Sequence, residues 1–140
     1  DPIACQIIAS DNSNQAVLVS KENAQTAGVA KWIDFELEDF REITVPETDR
    51  GILFINPEYG ERLGESEDLE LIYGELGDFM KKKCAGYTGF IFTGNLELAK
   101  KVGLKAKRRI EFYNGTIDCR LIRYELYQGS REKKEDSLGN

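Results

Sequence analysis

The chain has 140 residues, of which 41% are hydrophobic and 31% charged, as in a globular domain with its own hydrophobic core. No apolar run approaches the roughly 20 residues of a membrane helix, and no secretory leader opens the chain, so we expect a cytoplasmic protein without a membrane partner. The absence of histidine excludes Ser-His-Asp and Cys-His catalysis. Because Cys5, Cys84 and Cys119 lack metal-ligand spacing, we expect reduced thiols and no metal site.

The first part of the chain predicts a strand, a helix and a second strand. The apolar run of residues 7–9 is typical of a strand and ends at Ser10-Asp11. A helix is predicted over 13–27, because Gly28 provides a C-terminal stop. Residues 32–37 alternate apolar and polar side chains, which predicts another strand. The side chains expected to face the core are Ala16, Val17, Ala24, Ala27, Ile33, Phe35 and Leu37.

The middle of the chain predicts two buried strands and two helices. Residues 51–55 are continuously apolar, which is typical of a strand buried on both faces. Residues 67–83 predict an amphipathic helix that begins at an N-cap, Ser66, and is closed by Gly86. The inward face of this helix holds Leu69, Ile72, Leu76, Phe79 and Met80. Two further elements follow, a buried strand at 89–92 and a short helix at 96–102 between Asn95 and Gly103.

The last ordered part of the sequence, "RRIEFYNGTIDCRLIRYELY", predicts an antiparallel hairpin. Asn114-Gly115 separates its two β-rich runs and favours a type I′ turn, in which both central residues have positive φ. Residues 129–140 are polar and are expected to form a disordered tail. The order of elements predicts an α/β fold with an open, mostly parallel sheet, helices on both faces and a terminal antiparallel hairpin.

In such sheets, ligands bind beyond the carboxyl ends of the strands, which selects a small set of polar residues. Asp11 can accept hydrogen bonds from both hydroxyls of a ribose, or it can simply cap the next helix. Asp39 can accept from an adenine amine while Phe40 packs on the ring, or it can be a solvated loop acid. A nicotinamide dehydrogenase would also use Asp11, but the chain has no GxGxxG motif.

The most informative segment is Asn56-Pro57-Glu58-Tyr59, which follows the predicted strand at 51–55. The Asn56 side-chain carbonyl and the Pro57 backbone carbonyl can both accept from one exocyclic amine. Such acceptors favour the pyramidal, nucleophilic form of the amine, and Tyr59 can stack on the flat base. The alternative is an ordinary Asn-Pro turn, with Tyr59 in the core.

A basic cluster suggests an alternative function, a non-catalytic RNA-binding or assembly module. Residues 79–140 hold 14 Lys+Arg against 7 Asp+Glu, whereas residues 1–78 hold 5 against 18. Such a cluster can contact phosphate, or it can be a solvated surface. The cluster comprises Lys100, Lys101, Lys105, Lys107, Arg108 and Arg109.

From about Ile7 to Tyr127, the sequence resembles a known family. The segments "NPEYGERLG", "LIYGELGDFMK" and "GFIFTGNLELAKKVGLKAKRRIEFYNGTIDCRLIRYELY" are similar to the C-terminal part of the S-adenosylmethionine-dependent rRNA guanine methyltransferases that carry an N-terminal THUMP domain. The resemblance implies a Rossmann-like class I methyltransferase sheet. It also implies methyl transfer from S-adenosylmethionine to the exocyclic amine of a guanine in ribosomal RNA, without a metal.

The resemblance also implies roles for individual residues. The residues that match cofactor-binding positions are Asp11, Asn12, Asp39, Phe40 and Asn56. The catalytic positions, which match an Asn-Pro-Pro-Tyr motif, are Asn56, Pro57, Glu58 and Tyr59. The residues expected to bind RNA are Arg62, Lys105, Lys107 and Arg108.

The sequence departs from the family pattern at two places. Glu58 replaces the second proline of the motif, so the segment loses rigidity and gains a charge. The glycine-rich cofactor loop, with its strand, should precede Ile7, but the chain begins "DPIACQ". We therefore expect residues 1–128 to form the C-terminal part of a methyltransferase domain, inactive alone. The exposed strand edges should then either re-pair or lead to a homodimer.

Overall fold

A computed structural model describes residues 4–59 and 66–127, and for Ser66 and Glu67 only the backbone. The predicted tail and Arg62 therefore lie outside the described residues, as does the side chain of the predicted N-cap, Ser66. The chain divides into two compact units, unit 1 (Asp1–Thr44) and unit 2 (Val45–Asn140). Within the described ranges, no helix is long and apolar enough to cross a membrane.

Unit 1 contains two parallel strands and one long helix. Its elements are β1 (Ile7–Asp11), α1 (Asn14–Thr26) and β2 (Ile33–Leu37). The strands pair in register from Ile7 opposite Ile33 to Asp11 opposite Leu37, so their carboxyl ends are level. Val17 and Ala24 of α1 are buried as predicted, but the predictions for Leu37 and Ala27 are wrong: Leu37, at the end of β2, is 56% exposed, and Ala27 is exposed as well. The prediction for Ala27 is wrong because this residue is the C-cap, one position beyond the last residue of the helix.

Unit 2 contains a four-stranded sheet with the order β3-β4-β6-β5. Its elements are β3 (Ile52–Ile55), α2 (Ser66–Lys83), β4 (Thr88–Thr93), α3 (Leu96–Lys100), β5 (Arg108–Asn114) and β6 (Ile117–Glu125). β3 and β4 are parallel, whereas β6 is antiparallel to both β4 and β5. The predicted α/β fold with a terminal antiparallel hairpin is confirmed.

The core of unit 2 lies between the apolar face of α2 and the sheet. Tyr73 and Met80 of α2 are fully buried, as are Ile91 of β4 and Ile122 of β6. The helix also makes a close backbone approach, because a Cβ placed on Gly77 would lie 1.8 Å from the carbonyl oxygen of Val102. Glycine at this position therefore lets α2 pack directly against the end of α3.

The prediction that residues 51–55 are buried on both faces is wrong. Ile52 is 73% exposed and Phe54 is 61% exposed, while Leu53 and Ile55 are half-buried. The reason is that successive side chains of β3 point to opposite faces of the sheet, and only the face that carries Leu53 and Ile55 is covered. Among the described strands, β1 pairs only with β2 and β3 only with β4, so the expected re-pairing of edges is not observed. The homodimer remains a prediction.

The predicted hairpin is present, but its turn differs from the prediction. Asn114 pairs with Ile117, so the two loop residues are Gly115 and Thr116. Gly115 has φ +65°, and no non-glycine residue of the described chain has positive φ. The predicted type I′ turn with Asn114 at a central position is therefore wrong. Positive φ at the first loop residue alone is the pattern of a type II′ turn.

Candidate functional site

Asp11 lies at the carboxyl end of β1, where the chain leaves the strand for α1. Its Oδ1 accepts a hydrogen bond of 2.8 Å from the backbone N–H of Ser13, and the side chain of Ser13 caps the helix by accepting from Ala16. Ser13, not Asp11, is therefore the N-cap. Asp11 is exposed, as is its neighbour Asn12, and the second carboxylate oxygen of Asp11 makes no hydrogen bond to another described residue.

Asp39 and Phe40 follow β2 at the same end of the parallel pair. The backbone N–H of Glu38 donates to the carbonyl of Asp11 over 2.9 Å, so this loop begins directly beside the end of β1. Asp39 caps a 3-10 turn (Phe40–Glu42), accepting from the backbone N–H of Arg41 over 2.9 Å and from its guanidinium over 2.8 Å. The guanidinium also lies 4.7 Å from the centroid of the Phe40 ring. The loop thus orients the Asp39 carboxylate and partly neutralises it.

The segment Asn56–Tyr59 follows β3 in unit 2, and its backbone accepts a hydrogen bond from the core. The side chains of Asn56 and Glu58 are exposed, whereas Pro57 and Tyr59 are half-buried. The hydroxyl of Tyr73, on α2, donates a hydrogen bond of 2.9 Å to the backbone carbonyl of Glu58. An exposed polar loop is therefore attached to a residue of the buried core.

Tyr73 belongs to a short chain of buried hydrogen bonds. Its hydroxyl lies 2.9 Å from Oγ1 of Thr93, the last residue of β4, and both residues are fully buried. Because the Tyr73 proton is donated to Glu58, Thr93 donates to Tyr73 and accepts from the backbone N–H of Asn95 over 3.1 Å. Burial raises the pKa of Tyr73 to about 12, so the hydroxyl stays a neutral donor.

Tyr59 connects the same segment to the hairpin. A Cβ placed on Gly94 would lie 2.5 Å from the Tyr59 ring, so the ring packs directly on this glycine at the end of β4. The side-chain amide of Asn114 donates to the Tyr59 hydroxyl over 3.2 Å, and the Cys119 thiol lies 3.8 Å from that hydroxyl. Tyr59 thus contacts other protein residues and is still only half-buried. Both predicted roles, stacking on a flat base and packing in the core, are therefore compatible with its position.

The predicted RNA-binding residues that the structure describes lie at the start of β5. Lys105, Lys107 and Arg108 are exposed, as is the neighbouring Arg109. The backbone N–H of Lys107 donates to the carbonyl of Arg123 over 2.8 Å, which extends the ladder with β6 and fixes the start of this segment. The positive charges therefore project from an ordered backbone.

The cysteines and acids form no metal centre in the described part of the chain. Cys5 is an exposed free thiol, and Cys84 and Cys119 are buried free thiols. Burial raises the pKa of the Cys84 thiol to about 11, so it is an inert core residue at neutral pH.

Sequence reasoning missed Tyr73 and Asn114 as partners of the candidate site. Tyr73 is four residues from Leu69 on the predicted apolar face, so its burial could have been inferred from helical spacing. Its bond to Glu58 could not, because that contact depends on how α2 crosses the end of β3. Asn114 was assigned to the turn alone, and its partner is 55 residues away.

The sheet order, the terminal hairpin and the polar strand ends define a class I methyltransferase fold. A crystal structure of a possible methylase from Clostridium difficile 630 is similar over 88% of this chain and 32% of that one, with 27% identity and a TM-score of 0.79. The crystal structure of SMU.472 complexed with SAH is similar over 87% of this chain and 32% of that chain, with 24% identity and a TM-score of 0.78.

Residues 3–123 match the family described as "RMKL-like, methyltransferase domain", and the chain belongs to this family. A relative from Syntrophotalea carbinolica, the ribosomal RNA large subunit methyltransferase K/L, is 37% identical over 123 residues, which are 86% of this chain and 17% of the relative. The predicted family and fold are therefore confirmed. The chain spans about a sixth of that relative, and the individual site residues remain predictions.

Proposed function

We propose that this chain is part of an S-adenosylmethionine-dependent RNA methyltransferase that acts on the exocyclic amine of a guanine in ribosomal RNA. The observation that carries the proposal is the segment Asn56–Tyr59, which lies beyond the carboxyl end of β3 with its backbone anchored by Tyr73. The names of the relatives support a ribosomal RNA substrate, and such a substrate implies the cytoplasm. The choice of guanine rests on the sequence resemblance.

In this proposal, two acceptors prepare the amine for attack. The side-chain carbonyl of Asn56 and the backbone carbonyl of Pro57 accept its two N–H groups, which localises the nitrogen lone pair. The lone pair would then be aimed at the methyl group that bound S-adenosylmethionine would supply, with Asn56 and Pro57 holding the nitrogen in place. The amine afterwards loses one proton to solvent or to a nearby base, and Glu58 is a candidate because its side chain is exposed beside the segment.

The residues of unit 1 offer hydrogen-bond acceptors that fit a nucleoside, and Asp11 has more unused acceptor capacity than Asp39. Bound S-adenosylmethionine supplies a methyl group that its sulfonium already activates. Asp11 would hold the ribose, since the residue is exposed and one of its carboxylate oxygens is bonded to no described residue, and Asn12 is exposed beside it. Asp39 would accept from the adenine amine with the lone pairs that its bonds to Arg41 leave unused, while Phe40 would pack on the ring. Asn56 is the proposed cofactor contact in unit 2.

The proposed RNA contacts are electrostatic. Lys105, Lys107 and Arg108 project from the start of β5, and Arg62, outside the described residues, is proposed to join them. Neutralising three or four phosphates would make binding fall steeply with salt, because each contact releases condensed counterions. The solved structure of SMU.472 was obtained with SAH, which supports a cofactor of this class for the fold.

The first experiment is calorimetric titration with S-adenosylhomocysteine. The chain alone is compared with a chimeric enzyme, called the exchange enzyme below. In this chimera the chain replaces the matching 123 residues of the Syntrophotalea carbinolica relative. We expect binding by the exchange enzyme and weak or no binding by the chain alone. Methylguanosine in its ribosomal RNA product, measured by digestion and mass spectrometry, tests the substrate. Absence of binding in both proteins would contradict the proposed function.

The alternative is a non-catalytic RNA-binding module, which the exposure of Lys105, Lys107 and Arg108 favours. This alternative predicts salt-dependent RNA binding without any affinity for S-adenosylhomocysteine. Filter binding at several salt concentrations separates the two functions. Cofactor binding together with methyl transfer would exclude the alternative.

A further inference from the structure

The backbone of the segment Asn56–Tyr59 is less restricted at Glu58 than it would be at a proline. The resembled motif has proline at the third position, where the ring would fix φ, whereas this chain has Glu58. The proposed chemistry needs the Pro57 carbonyl to be aimed at the amine to within about 0.5 Å. Something other than a second proline must therefore restrict the backbone of this segment.

The buried hydroxyl of Tyr73 is placed to provide this restriction. It donates over 2.9 Å to the carbonyl of Glu58, which belongs to the peptide plane next to the one that carries the Pro57 carbonyl. The two planes meet at the Cα of Glu58, so once the Glu58 carbonyl is held, the Pro57 plane can turn only through φ and ψ of Glu58, which steric clashes confine. The proline ring of Pro57 restricts the segment from the preceding side.

The hydroxyl itself is held by a second buried residue. Thr93 at the end of β4 is fully buried and lies 2.9 Å from the Tyr73 hydroxyl, while it accepts from the backbone N–H of Asn95. With its proton given to Glu58 and its oxygen bonded to Thr93, the Tyr73 hydroxyl has one defined orientation. The position of the segment is therefore coupled to α2 and β4 together.

We infer that Tyr73 is a positioning residue for methyl transfer, and that its hydroxyl, oriented by Thr93, replaces the missing second proline of the motif. The inference rests on the proposed function and concerns the same site. It predicts that loss of the hydroxyl lowers kcat, because the acceptors are misaimed, and leaves substrate and cofactor affinity nearly intact.

The test compares two tyrosines in the exchange enzyme. Tyr73→Phe removes the bond to Glu58, whereas Tyr87→Phe removes an equivalent hydroxyl bond to the carbonyl of Pro46, at the opposite end of β4. We expect kcat to fall about 10- to 100-fold in Tyr73→Phe, with KM for RNA and affinity for S-adenosylhomocysteine within about threefold. Tyr87→Phe is expected to keep kcat within about threefold.

Three further variants separate positioning from stability. Thr93→Ser retains the hydroxyl and should keep kcat, whereas Thr93→Val should reproduce most of the loss in Tyr73→Phe. Tyr73→Phe should lower kcat less in a Glu58→Pro background than in the unsubstituted exchange enzyme, because the proline ring again restricts the segment. Comparing the two enzymes that both carry Glu58→Pro cancels any effect of losing the Glu58 carboxylate. A purely structural role would lower the melting temperature and give the same loss of kcat in both backgrounds.

The outcomes distinguish the inference from the proposed function. If the unsubstituted exchange enzyme transfers methyl groups but Tyr73→Phe behaves like Tyr87→Phe, the positioning role is wrong and the proposed function stands. If the unsubstituted exchange enzyme binds no cofactor and transfers no methyl group, the proposed function and the positioning role are both wrong. A fall in RNA affinity rather than kcat would also overturn the positioning role.

Discussion

The residues at the strand ends have hydrogen-bond partners close in sequence in unit 1 and distant in sequence in unit 2. In unit 1, Asp11 and Asp39 each bond to a residue 2 positions further along the chain. In unit 2, Glu58 and Tyr59 bond to residues 15 and 55 positions away. The polar loops of unit 1 are thus shaped by their own sequence, and the loop of unit 2 is shaped by the helix and hairpin around it.

This difference matches the demands of the two proposed roles. Holding a ribose or an adenine needs hydrogen-bond acceptors at a strand end, which a local turn can present. Aiming two carbonyls at one amine needs a backbone with little freedom, which only packing from several elements provides. We therefore expect substitutions of Asp11 and Asp39 in unit 1 to change cofactor affinity, and substitutions that disturb the segment Asn56–Tyr59 in unit 2 to change rate.

The largest expected effect tests this division directly in the exchange enzyme. Asn56→Ala removes a proposed acceptor from an exposed position, so we expect methyl transfer to fall at least about 100-fold with little change in the melting temperature. Asp11→Ala should instead weaken S-adenosylhomocysteine binding by about 1.5–3 kcal/mol. Steady-state kinetics and calorimetry measure both variants. The division fails if Asn56→Ala changes only the cofactor affinity.

A second prediction concerns the packing on which the unit 2 site depends. Gly77→Ala would place its Cβ 1.8 Å from the Val102 carbonyl oxygen, so we expect a loss of about 1–3 kcal/mol or more in the free energy of unfolding. Gly74→Ala is the matched control, because its nearest neighbour, the Lys101 carbonyl oxygen, would be 3.6 Å away. The control should be neutral or gain up to about 1 kcal/mol, as for Gly→Ala within a helix. Urea denaturation measures both, and equal stability would contradict the close approach.

Alkaline pH should weaken unit 2 through two buried groups. Burial raises the pKa of Cys84 from 9.0 to about 11 and that of Tyr73 from 10.0 to about 12, which favours their neutral forms in the folded state. Their contribution to stability is therefore complete below pH 9 and is lost as the pH rises towards 12. Cys84→Ala and Tyr73→Phe should each flatten this decline in thermal unfolding, and Cys5→Ala, which removes an exposed thiol, should not. An unchanged slope in both buried variants would contradict the prediction.

The smallest expected effect is in unit 1. The Asp39–Arg41 ion pair is 35% and 41% exposed at its two side chains, so Arg41→Ala should cost only about 0–1 kcal/mol of stability. S-adenosylhomocysteine affinity should change by less than about threefold, because the backbone N–H of residue 41 still orients the carboxylate. Calorimetry and thermal unfolding measure both quantities, with Arg41→Lys as the charge-preserving control. A large loss would mean that unit 1 also depends on distant contacts.

Most of the fold could be predicted from the sequence, because periodicity and caps are local signals. Asn95 caps α3 by accepting from Leu98 as predicted, and the strand-end rule correctly placed Asp11 at the end of β1 and Asn56 directly after β3. The exposure of Ile52 and Phe54 could not be predicted, because a continuous apolar run does not reveal which face of its strand is covered. The turn type was missed for a similar reason, since the register of β5 with β6 places Asn114 in the ladder.

The position of β6 has a consequence for how the protein is made. β6 is the last of the described strands in sequence, yet it lies between β4 and β5 and pairs with both. Until residues 117–125 have been translated, β4 has no antiparallel neighbour, and the backbone N–H and C=O groups along one of its edges are unpaired. During this period the unpaired edge of β4, at Phe90, Ile91 and Phe92, can pair with a wrong strand of the same or another chain. Completion of the hairpin ends this exposure, because β6 then pairs with β4.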